Sequence, residues 1–579
     1  MVSRQIQHGG KHGALAEKHR NQGGDMEKKD ALSRRNFIKA SSMAALGAAA
    51  LGLAGCGPKP AQNSANDAAT SVADIAWDEE YDVIVVGAGA AGLATAVAMA
   101  TEGGDLSTLL LEKGSTLIGS GNSPVCSGSF HITDEPDAFA VYMKAMLGGM
   151  SATPASVYET YAQGAAENWK WLSGLGMKED DVKVTPQGDG KAEWFELENS
   201  GSFSKCQFKK DNADEDRTHI SKFLSSVLEQ YPDQVTRKTS APLTALVQDP
   251  ETKAVIGAVY EDKNKSVYAK ARKGVVMTCG GFENDPEMLQ DYLSFERMHA
   301  AGASTNTGDG HRICAKLGAG MWHMNSFAGA WSNGISLDGE KTMPYRSLKK
   351  ALGIVVGVNG RRFYQEWEGT TMFTKGEEGP LSLHYGCRHG HQNFGGEWKM
   401  LPLPDKQWFV YDSEGKRFGA YMGKDVANNT LQNQTEKTEI DPAIDAVADG
   451  YALTADTIEE LAALMEVPVD ELVNTVNVWN ASCENGVDEQ FHRPSDQLAP
   501  VSTPPFYAIP CIPEILNTDG GPRRNEKAQI LDVDGEPIPN LYSSGEFGSI
   551  WAAKYQGSGN ITECMVFGRI AARELIAKE

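Results

Sequence analysis

The chain is poor in cysteine and in basic residues, and each shortage excludes a class of protein. Its nine cysteines are scattered singly, without a CxxC or CxxCH motif, which argues against a disulfide framework, a zinc ribbon or attached haem c. Lysine and arginine number 54 against 77 aspartates and glutamates, a formal net charge of −23. Because phosphate binding needs a basic face, we expect no nucleic-acid partner. A chain of 579 residues is long enough for two or more lobes.

The chain also lacks a long apolar run near its beginning. The stretch Met43–Leu53, about a dozen residues, is too short to span a bilayer as a helix and is typical of a signal peptide. The pair Arg34 and Arg35 before it resembles a twin-arginine signal. LAGC, which ends at Cys56, resembles a bacterial lipobox. A chance arginine pair before a general export signal is the alternative interpretation.

These patterns predict a signal peptide over residues 1–56 and a polar, flexible linker over 57–76. A lipid on Cys56 would hold the protein at the outer face of the cytoplasmic membrane, and release would place it in the periplasm. Met26 is a candidate start, because the residues before it add nothing that a signal needs.

The first motif with clear chemistry is YDVIVVGAGAAGLATAVAMA, residues 81–100, which predicts a buried strand, a glycine turn and a helix. Gly87, Gly89 and Gly92 form GxGxxG, a spacing that lets a backbone approach a pyrophosphate at a helix N-terminus. TLLLEK predicts the next strand, and its Glu112 lies 20 residues past Gly92, where a carboxylate can bind a ribose hydroxyl. The pattern predicts a dinucleotide site.

The chain contains no second strand–GxGxxG–helix unit, so we expect a single dinucleotide. Further motifs follow in order: EKGSTLIGSGNSPVCSG, VVMTCGGFENDPEML, NTGDGHRICAKLGA, IPNLYSSGE and GSGNITECMVFGRIA. Together they resemble the FAD-binding family of fumarate reductase and succinate dehydrogenase flavoproteins, including 3-ketosteroid dehydrogenases and related exported reductases. The resemblance covers most of residues 79–579.

The resemblance implies an α/β fold in which a Rossmann-type FAD-binding domain, 77–327 and 517–579, carries an inserted α+β cap, 328–516. It implies non-covalent FAD, because no histidine occupies 112–128, where some relatives attach FAD. Val247 would meet the adenine, and catalysis would occur where domain and cap meet. The residues implied to hold FAD are Gly87, Gly89, Ala91, Gly92, Glu112, Lys113, Asn122, Ser123, Ser127, Gly128, Val247, Gly280, Asp309, Glu546, Asn560 and Ile561.

The segment GRRFYQEWEGTT, residues 360–371, departs from the family at the position of its proton donor. At the ninth position, counted with Arg362 as the first, fumarate reductases have an arginine and ketosteroid dehydrogenases a tyrosine, whereas this chain has Thr370. A threonine hydroxyl is a very poor acid at neutral pH, so Thr370 would position substrate or water. Arg388 in HYGCRHGH is a substitute donor, and we expect no metal there because the spacing fits no standard site. Glu366 is expected to pair with Arg361 or Arg362 in a weak surface ion pair.

The substrate anchors of the fumarate reductases are replaced by neutral groups. LNTDGG places Asn517 where those enzymes have a histidine, which makes a small dicarboxylate a poor substrate. YQGSG resembles the motif in which ketosteroid dehydrogenases polarise a carbonyl, making Tyr555 and Gly559 candidates for that role. Tyr555 as a packing residue remains the alternative.

These features predict an exported FAD-dependent oxidoreductase that reduces the C=C bond of an α,β-unsaturated carbonyl or carboxylate compound. The chain has no haem or extra flavin domain, so its electrons are expected from a membrane quinol or cytochrome. Two alternatives stay open: a 3-ketosteroid-type dehydrogenase, and a surface lipoprotein that binds a ligand without catalysis.

Overall fold

The structure is a computed structural model that describes residues 75–147, 151–296, 298–300, 302–336, 342–343, 352–366, 391–394, 397–400, 402–417, 452–552 and 554–578. These residues belong to one compact unit, Ala69–Glu579. Cys56, Thr370 and Arg388 lie outside the described residues, as does the signal peptide predicted over 1–56. No helix in the described part of the chain is long and apolar enough to cross a membrane.

The described strands are β1 (Glu79–Val86), β2 (Thr108–Leu111), β3 (Phe130–Ile132), β4 (Val182–Pro186), β5 (Ser204–Phe208), β6 (Val235–Lys238), β7 (Leu243–Gln248), β8 (Val255–Asp262), β9 (Lys265–Met277), β10 (His299–Ala300), β11 (Met321–Trp322), β12 (Phe327–Ser336), β13 (Thr342–Met343), β14 (Gly353–Gly357), β15 (His391–Phe394), β16 (Glu397–Met400), β17 (Gln407–Asp412), β18 (Leu453–Ala455), β19 (Phe506–Thr518), β20 (Gly521–Pro522), β21 (Gln529–Leu531) and β22 (Pro537–Ser543).

The described helices are α1 (Ala90–Glu102), α2 (Pro136–Leu147), α3 (Ala155–Gly174), α4 (Ile220–Leu228), α5 (Pro286–Met288), α6 (Asp309–Lys316), α7 (Ser413–Arg417), α8 (Ile458–Leu464), α9 (Val469–Asn485) and α10 (Gly559–Ala577).

The first sheet has eight strands, with β22, β9, β1, β2 and β6 side by side and parallel. β21 pairs antiparallel at one edge, and the antiparallel strands β7 and β8 branch from β9. Side chains alternate between the two faces of β1: Val83 and Val85 join one core, and Ile84 and Val86 join the other. Because both faces are covered, the strand reads as a continuous apolar run.

The second sheet has seven strands, in the order β13-β12-β19-β17-β14, with β10 and β18 also paired to β19. Its two faces again alternate: Val355 and Phe409 lie on one side, and Ile354 and Val410 pack with α8 and α9 on the other. The strand β19 ends at Thr518, and its exit lies beside the loop that follows β9, because a Cβ on Gly281 in that loop would lie 2.2 Å from the Thr518 hydroxyl oxygen. This exit brings the stretch LNTDGG to the site described below.

Candidate active site

The glycine turn after β1 is fixed by contacts that leave no room for side chains. Gly87 has φ of +102°, and a Cβ there would lie 2.4 Å from the carbonyl oxygen of Thr278. A Cβ on Gly92 would lie 1.8 Å from the carbonyl oxygen of Gly87. Both positions therefore require glycine, and the turn delivers the N-terminus of α1 to the edge of the sheet.

A cleft of about 850 Å³, including its opening to solvent, lies over the carboxyl ends of β1, β2 and β9. This volume is that of a small-molecule or cofactor site, and the carboxyl edge of a parallel sheet is where such sites form. The predicted cofactor residues that line it are Gly87, Gly89, Ala91, Glu112, Lys113, Asn122, Ser123, Gly280, Asp309 and Glu546.

Other predicted residues do not line this cleft. Gly92 packs α1 against the turn, and Val247 lies farther along β7 than Ala241 and Leu243, which do line it. The remaining predicted positions lie beyond its walls: Ser127, Gly128, Asn560 and Ile561. Sequence reasoning named neither Ala241 nor Leu243, although they precede Val247 by only six and four residues.

One wall of the cleft contains the carboxylate of Glu112, which is already hydrogen bonded to the backbone. Glu112 accepts hydrogen bonds from the backbone N–H of Ala88 at 2.9 Å and of Gly114 at 2.7 Å. These bonds hold its carboxylate beside the glycine turn. Across the opening, Lys113 forms an ion pair with Asp309, with Nζ and Oδ2 2.7 Å apart. The predicted positions therefore meet in space.

In the wall of the cleft, Asn122 connects two carboxyl groups, that of Glu546, which lines the cleft and is half-buried, and that of Glu283, which is buried behind it. The Asn122 side chain donates to Glu283 at 2.7 Å and to Glu546 at 3.0 Å. Burial raises the pKa of Glu546 to about 8, and the negative charge of Glu283 adds to the effect. Burial likewise raises the pKa of Glu283, while hydrogen bonds from Asn306 and Asn122 oppose the rise. At least one of the two carboxyl groups is therefore neutral at neutral pH.

Asn517 and Asn560 extend this polar cluster. The Asn560 amide donates to Glu546 at 3.4 Å and to the side-chain oxygen of Asn517 at 3.0 Å. Asn517 in turn donates to the carboxyl group of Asp519 at 3.0 Å and to the backbone oxygen of Thr518 at 3.3 Å. The amide predicted to touch substrate is thus a link in an internal chain of bonds. Sequence reasoning missed Asp519, which stands two residues away.

Tyr555 is buried, at 8% exposed, with its ring edge-on to Trp551 at 5.3 Å. Burial raises the pKa of its hydroxyl well above the ordinary value, and the charge of Glu193 adds to this, while a hydrogen bond with the backbone of Asn560 opposes it. Tyr555 therefore stays protonated and can donate a hydrogen bond. The backbone N–H of Gly559 already donates to the carbonyl of Gln556 at 2.9 Å.

The motif GRRFYQE holds a buried charge network. Arg362 donates to Glu366 at 2.6 and 2.7 Å and to Asp488 at 2.8 and 3.0 Å. Arg493 also donates to Glu366, at 2.7 Å, and all four side chains are 0–1% exposed. The expected pairing of Glu366 with Arg362 is confirmed, but its expected position at the surface was wrong, because residues more than 120 positions later bury it. Arg361 instead pairs at the surface with Glu471, at 2.6 Å.

The residues present fit an FAD. Gly89 would meet only the Ser123 hydroxyl, at 3.3 Å, if it carried a Cβ, so the backbone at the start of α1 is open to a pyrophosphate. At the other end, the buried side-chain oxygen of Asn560 and indole N–H of Trp551 have no hydrogen-bond partner among the described residues. Buried polar atoms without hydrogen-bond partners, near the start of α10, are expected where a flavin ring with its own donors and acceptors binds.

Comparison with known proteins decides the assignment. The sequence model of the family described as "FAD binding domain" matches residues 82–389 and 403–561. The chain belongs to this family. It is an FAD-dependent oxidoreductase of the fumarate reductase and ketosteroid dehydrogenase type, a class that acts on C=C bonds. The predicted mixed α/β flavoprotein fold and the FAD cofactor are thereby confirmed.

Two relatives and one solved structure indicate the breadth of this family. Digoxin reductase of Eggerthella lenta is 27% identical, over 95% of this chain and 97% of its own. Urocanate reductase of the same organism is 24% identical, over 93% of this chain and 81% of its own. The 3-ketosteroid Δ1-dehydrogenase of Sterolibacterium denitrificans has a TM-score of 0.66 at 20% identity, covering 86% of this chain and all of the other. At that identity, the structural likeness concerns the fold alone.

Proposed function

We propose that this FAD-dependent oxidoreductase reduces the C=C bond of an α,β-unsaturated carbonyl or carboxylate compound that is not a simple dicarboxylate. Bound FAD would supply the hydride for one alkene carbon. The single observation that carries the proposal is the neutral amide pair Asn517–Asn560, joined by a hydrogen bond of 3.0 Å and connected through Asn560 to Glu546 in the wall of the FAD cleft. Relatives named as reductases of digoxin and of urocanate support a reductive reaction on an unsaturated, non-dicarboxylate compound.

The charges near this end of the cleft also favour a weakly charged substrate. Lys554 is buried, donates to the carbonyl of Met146 at 3.1 Å and lies over the ring of Trp194 at 5.6 Å. The Lys554 ammonium group therefore already has a hydrogen-bond acceptor within the protein. Burial lowers the pKa of this group. Glu546 and Asp519, whose pKa values are raised, offer no positive charge to a dicarboxylate, and a dianion beside them would further oppose their ionisation.

An anaerobic experiment tests the reaction. The purified FAD-loaded protein is reduced with dithionite, and the return of the oxidised flavin spectrum is followed after addition of each member of a panel of enoates, cinnamates, enones and fumarate. We expect reoxidation by enones or monocarboxylates and little by fumarate. Reoxidation by fumarate alone would contradict the substrate class, and no reoxidation by any compound would contradict the reductase function itself.

A second candidate is a 3-ketosteroid-type dehydrogenase, which is favoured by Tyr555 and Gly559. Gly559 is the first residue of α10, and Tyr555 lies four residues before it. Tyr555 keeps its proton and can donate a hydrogen bond. The same apparatus separates the two. A saturated 3-ketosteroid added to oxidised enzyme would bleach the flavin if the dehydrogenase direction is correct. The ligand-binding lipoprotein without catalysis predicts no spectral change in either direction.

We further propose export, a lipid on Cys56 and electron supply from a membrane quinol or cytochrome. The pair Arg34–Arg35 supports export, and the LAGC motif supports anchoring through Cys56. Replacing both arginines by lysine should leave the protein in the cytoplasm, and Cys56→Ala should release it from washed membranes. Membranes with reduced menaquinol should reduce the flavin anaerobically, and failure of every membrane fraction to do so would contradict the electron route.

A further inference from the structure

Six side chains form one continuous run of hydrogen bonds that passes through Asn122 and Glu546 in the wall of the FAD cleft and ends at Asp519, just after strand β19. Successive donor–acceptor distances are 2.7, 3.0, 3.4, 3.0 and 3.0 Å. We call it the carboxyl–amide chain, and its three acids and three amides follow one another in the order Glu283, Asn122, Glu546, Asn560, Asn517 and Asp519. It joins the sheet that bears the cleft to the second sheet.

The acid at the far end, Asp519, differs from the other two in its hydrogen bonding. Glu283 receives bonds from Asn122, Asn306 and Thr518, and both oxygens of Glu546 accept from amides. Among the described residues, the only side-chain hydrogen bond to the Asp519 carboxyl group reaches Oδ1, from Asn517. Its second oxygen therefore has room for a transferable proton.

Asp519 is also held firmly. Its backbone N–H donates to Ser326 at 3.0 Å, and its carbonyl accepts from Ser549 at 2.9 Å. The residue is 2% exposed, and its side chain lies two positions beyond Asn517, on the same side of the extended chain. A rigid acid next to the predicted substrate contact is well placed for chemistry.

The charges around Asp519 keep it neutral. Burial raises its pKa well above the ordinary value, and the negative charges of Glu546, Glu563 and Glu283 add to this. No ion pair to Asp519 occurs within the described residues; the buried cation Arg524 pairs with Glu563 instead. The histidines near its neighbours, His311 and His323, bond to the carbonyls of Gly520 and Ser549, and burial lowers the pKa of each to about 4. They carry no compensating charge at neutral pH. Tyr555 also faces it and keeps its proton.

We propose that Asp519 is the acid that delivers the proton consumed when the C=C bond is reduced. This role rests on the proposed function. It places the proton donor directly after the end of β19 rather than at Thr370 or Arg388. Bound FAD, in its reduced form, would supply the hydride for one alkene carbon. The other receives the proton of the Asp519 carboxyl group: the O–H bond breaks, a C–H bond forms, and the electron pair of the O–H bond stays on Asp519 as a carboxylate. A proton from solvent restores the acid before the next turnover.

The protonation state of the Asp519 carboxyl group can be measured without any catalytic turnover. In the FAD-loaded protein at pH 7, the infrared difference between wild type and Asp519→Asn should contain the C=O stretch of a neutral carboxylic acid. Asp105→Asn, the same change at an exposed aspartate, should remove a carboxylate signal instead. A carboxylate signal lost in Asp519→Asn would overturn the proposal.

The second measurement is single-turnover reoxidation of the dithionite-reduced protein by the best compound of the panel. Asp519→Asn should slow it by about a hundredfold or more, with unchanged FAD content, whereas Asp105→Asn should match wild type. Asp519→Glu, which keeps an acid, should lie well above Asp519→Asn. A rate within threefold of wild type for Asp519→Asn would refute the role.

Two further outcomes are decisive. If Asp519→Asn does not retain FAD, the pH dependence of reoxidation in the wild type is the test instead. The wild-type rate must fall as pH rises through the raised pKa of Asp519, and a rate that is constant up to pH 9 contradicts the proposal. If wild type is not reoxidised by any compound, the proposed function fails and the donor role with it. The infrared signal then still shows whether Asp519 carries a proton.

Discussion

The substitution Glu366→Gln tests the buried charge network most directly. In the wild type two arginines, Arg362 and Arg493, face two carboxylates, Glu366 and Asp488, so the charges cancel. The variant has nearly the same shape but leaves one positive charge without compensation in a site that is 0–1% exposed. It also turns an amide N–H₂ toward guanidinium donors.

The size of the effect follows from the bonds that are lost. Glu366 accepts three bonds from guanidinium groups, at 2.6, 2.7 and 2.7 Å, and one from the backbone N–H of Val355 at 3.3 Å. A glutamine has one acceptor oxygen, so at least one charge-assisted bond is lost, worth about 1.5–3 kcal/mol. Breaking a buried ion pair on one side costs about 3–5 kcal/mol in all. We expect a loss of this order, a large part of a typical unfolding free energy of about 5–15 kcal/mol.

Urea unfolding followed by tryptophan fluorescence measures the loss, and Trp479, whose ring packs on both arginines, reports from inside the network. The matched control is Glu471→Gln, the same change in the exposed pair with Arg361, which should leave the midpoint unchanged. Equal midpoints for the two variants would refute the reasoning.

The pH dependence gives a second check. Burial alone raises the pKa of Glu366, but the charges of Arg362 and Arg493 outweigh it and hold that pKa below the ordinary value. The stabilisation is therefore present above the unfolded-state pKa, about 4.3, and lost as pH falls through the folded-state value. The difference between wild type and Glu366→Gln should shrink below about pH 4. A difference that persists in acid would contradict the assignment.

Three further predictions concern the cleft. Gly92→Ala should abolish FAD retention, measured as flavin absorbance per protein, because its Cβ would lie 1.8 Å from the oxygen of Gly87; normal retention would refute the packing argument. The folded-state pKa of Glu546 is raised to about 8, so FAD-free protein should lose stability as pH rises from about 4.5 to about 8. Glu546→Gln should reduce that slope in thermal unfolding, with the remainder due to Glu283 and Asp519, whose pKa values are also raised, and identical slopes would contradict it. Tyr555→Phe should slow single-turnover reoxidation about tenfold or more, if its hydroxyl polarises a carbonyl, with FAD content unchanged; an equal rate would leave Tyr555 a packing residue.

The local part of the site could be predicted from sequence because its constraints are local. Gly87 and Gly92 are fixed by a turn of a few residues, and Glu112 by the length of one helix and one strand. These positions were inferred from spacing, and the structure brings Gly87 and Glu112 to one cleft.

The polar partners could not be predicted in the same way, because they come from distant parts of the chain. Asn122 meets Glu546 across 424 positions, and Asn560 meets Asn517 across 43. Glu366 was expected at the surface because the residues that complete its network come much later in the chain, after α9: Arg493, which donates to Glu366, and Asp488, which accepts from Arg362. Asp519 has no motif of its own, and only burial among other acids distinguishes it.

The way the first sheet is assembled has a consequence for synthesis of the protein. β22 pairs with β9, and α10 packs against α1, although more than 250 positions separate each pair. On the ribosome, the glycine turn therefore emerges long before the segments that close its cleft. Contacts of such high sequence separation form late. FAD insertion is accordingly expected only after the last helix has left the exit tunnel, and a nascent chain stalled before residue 537 should carry no flavin.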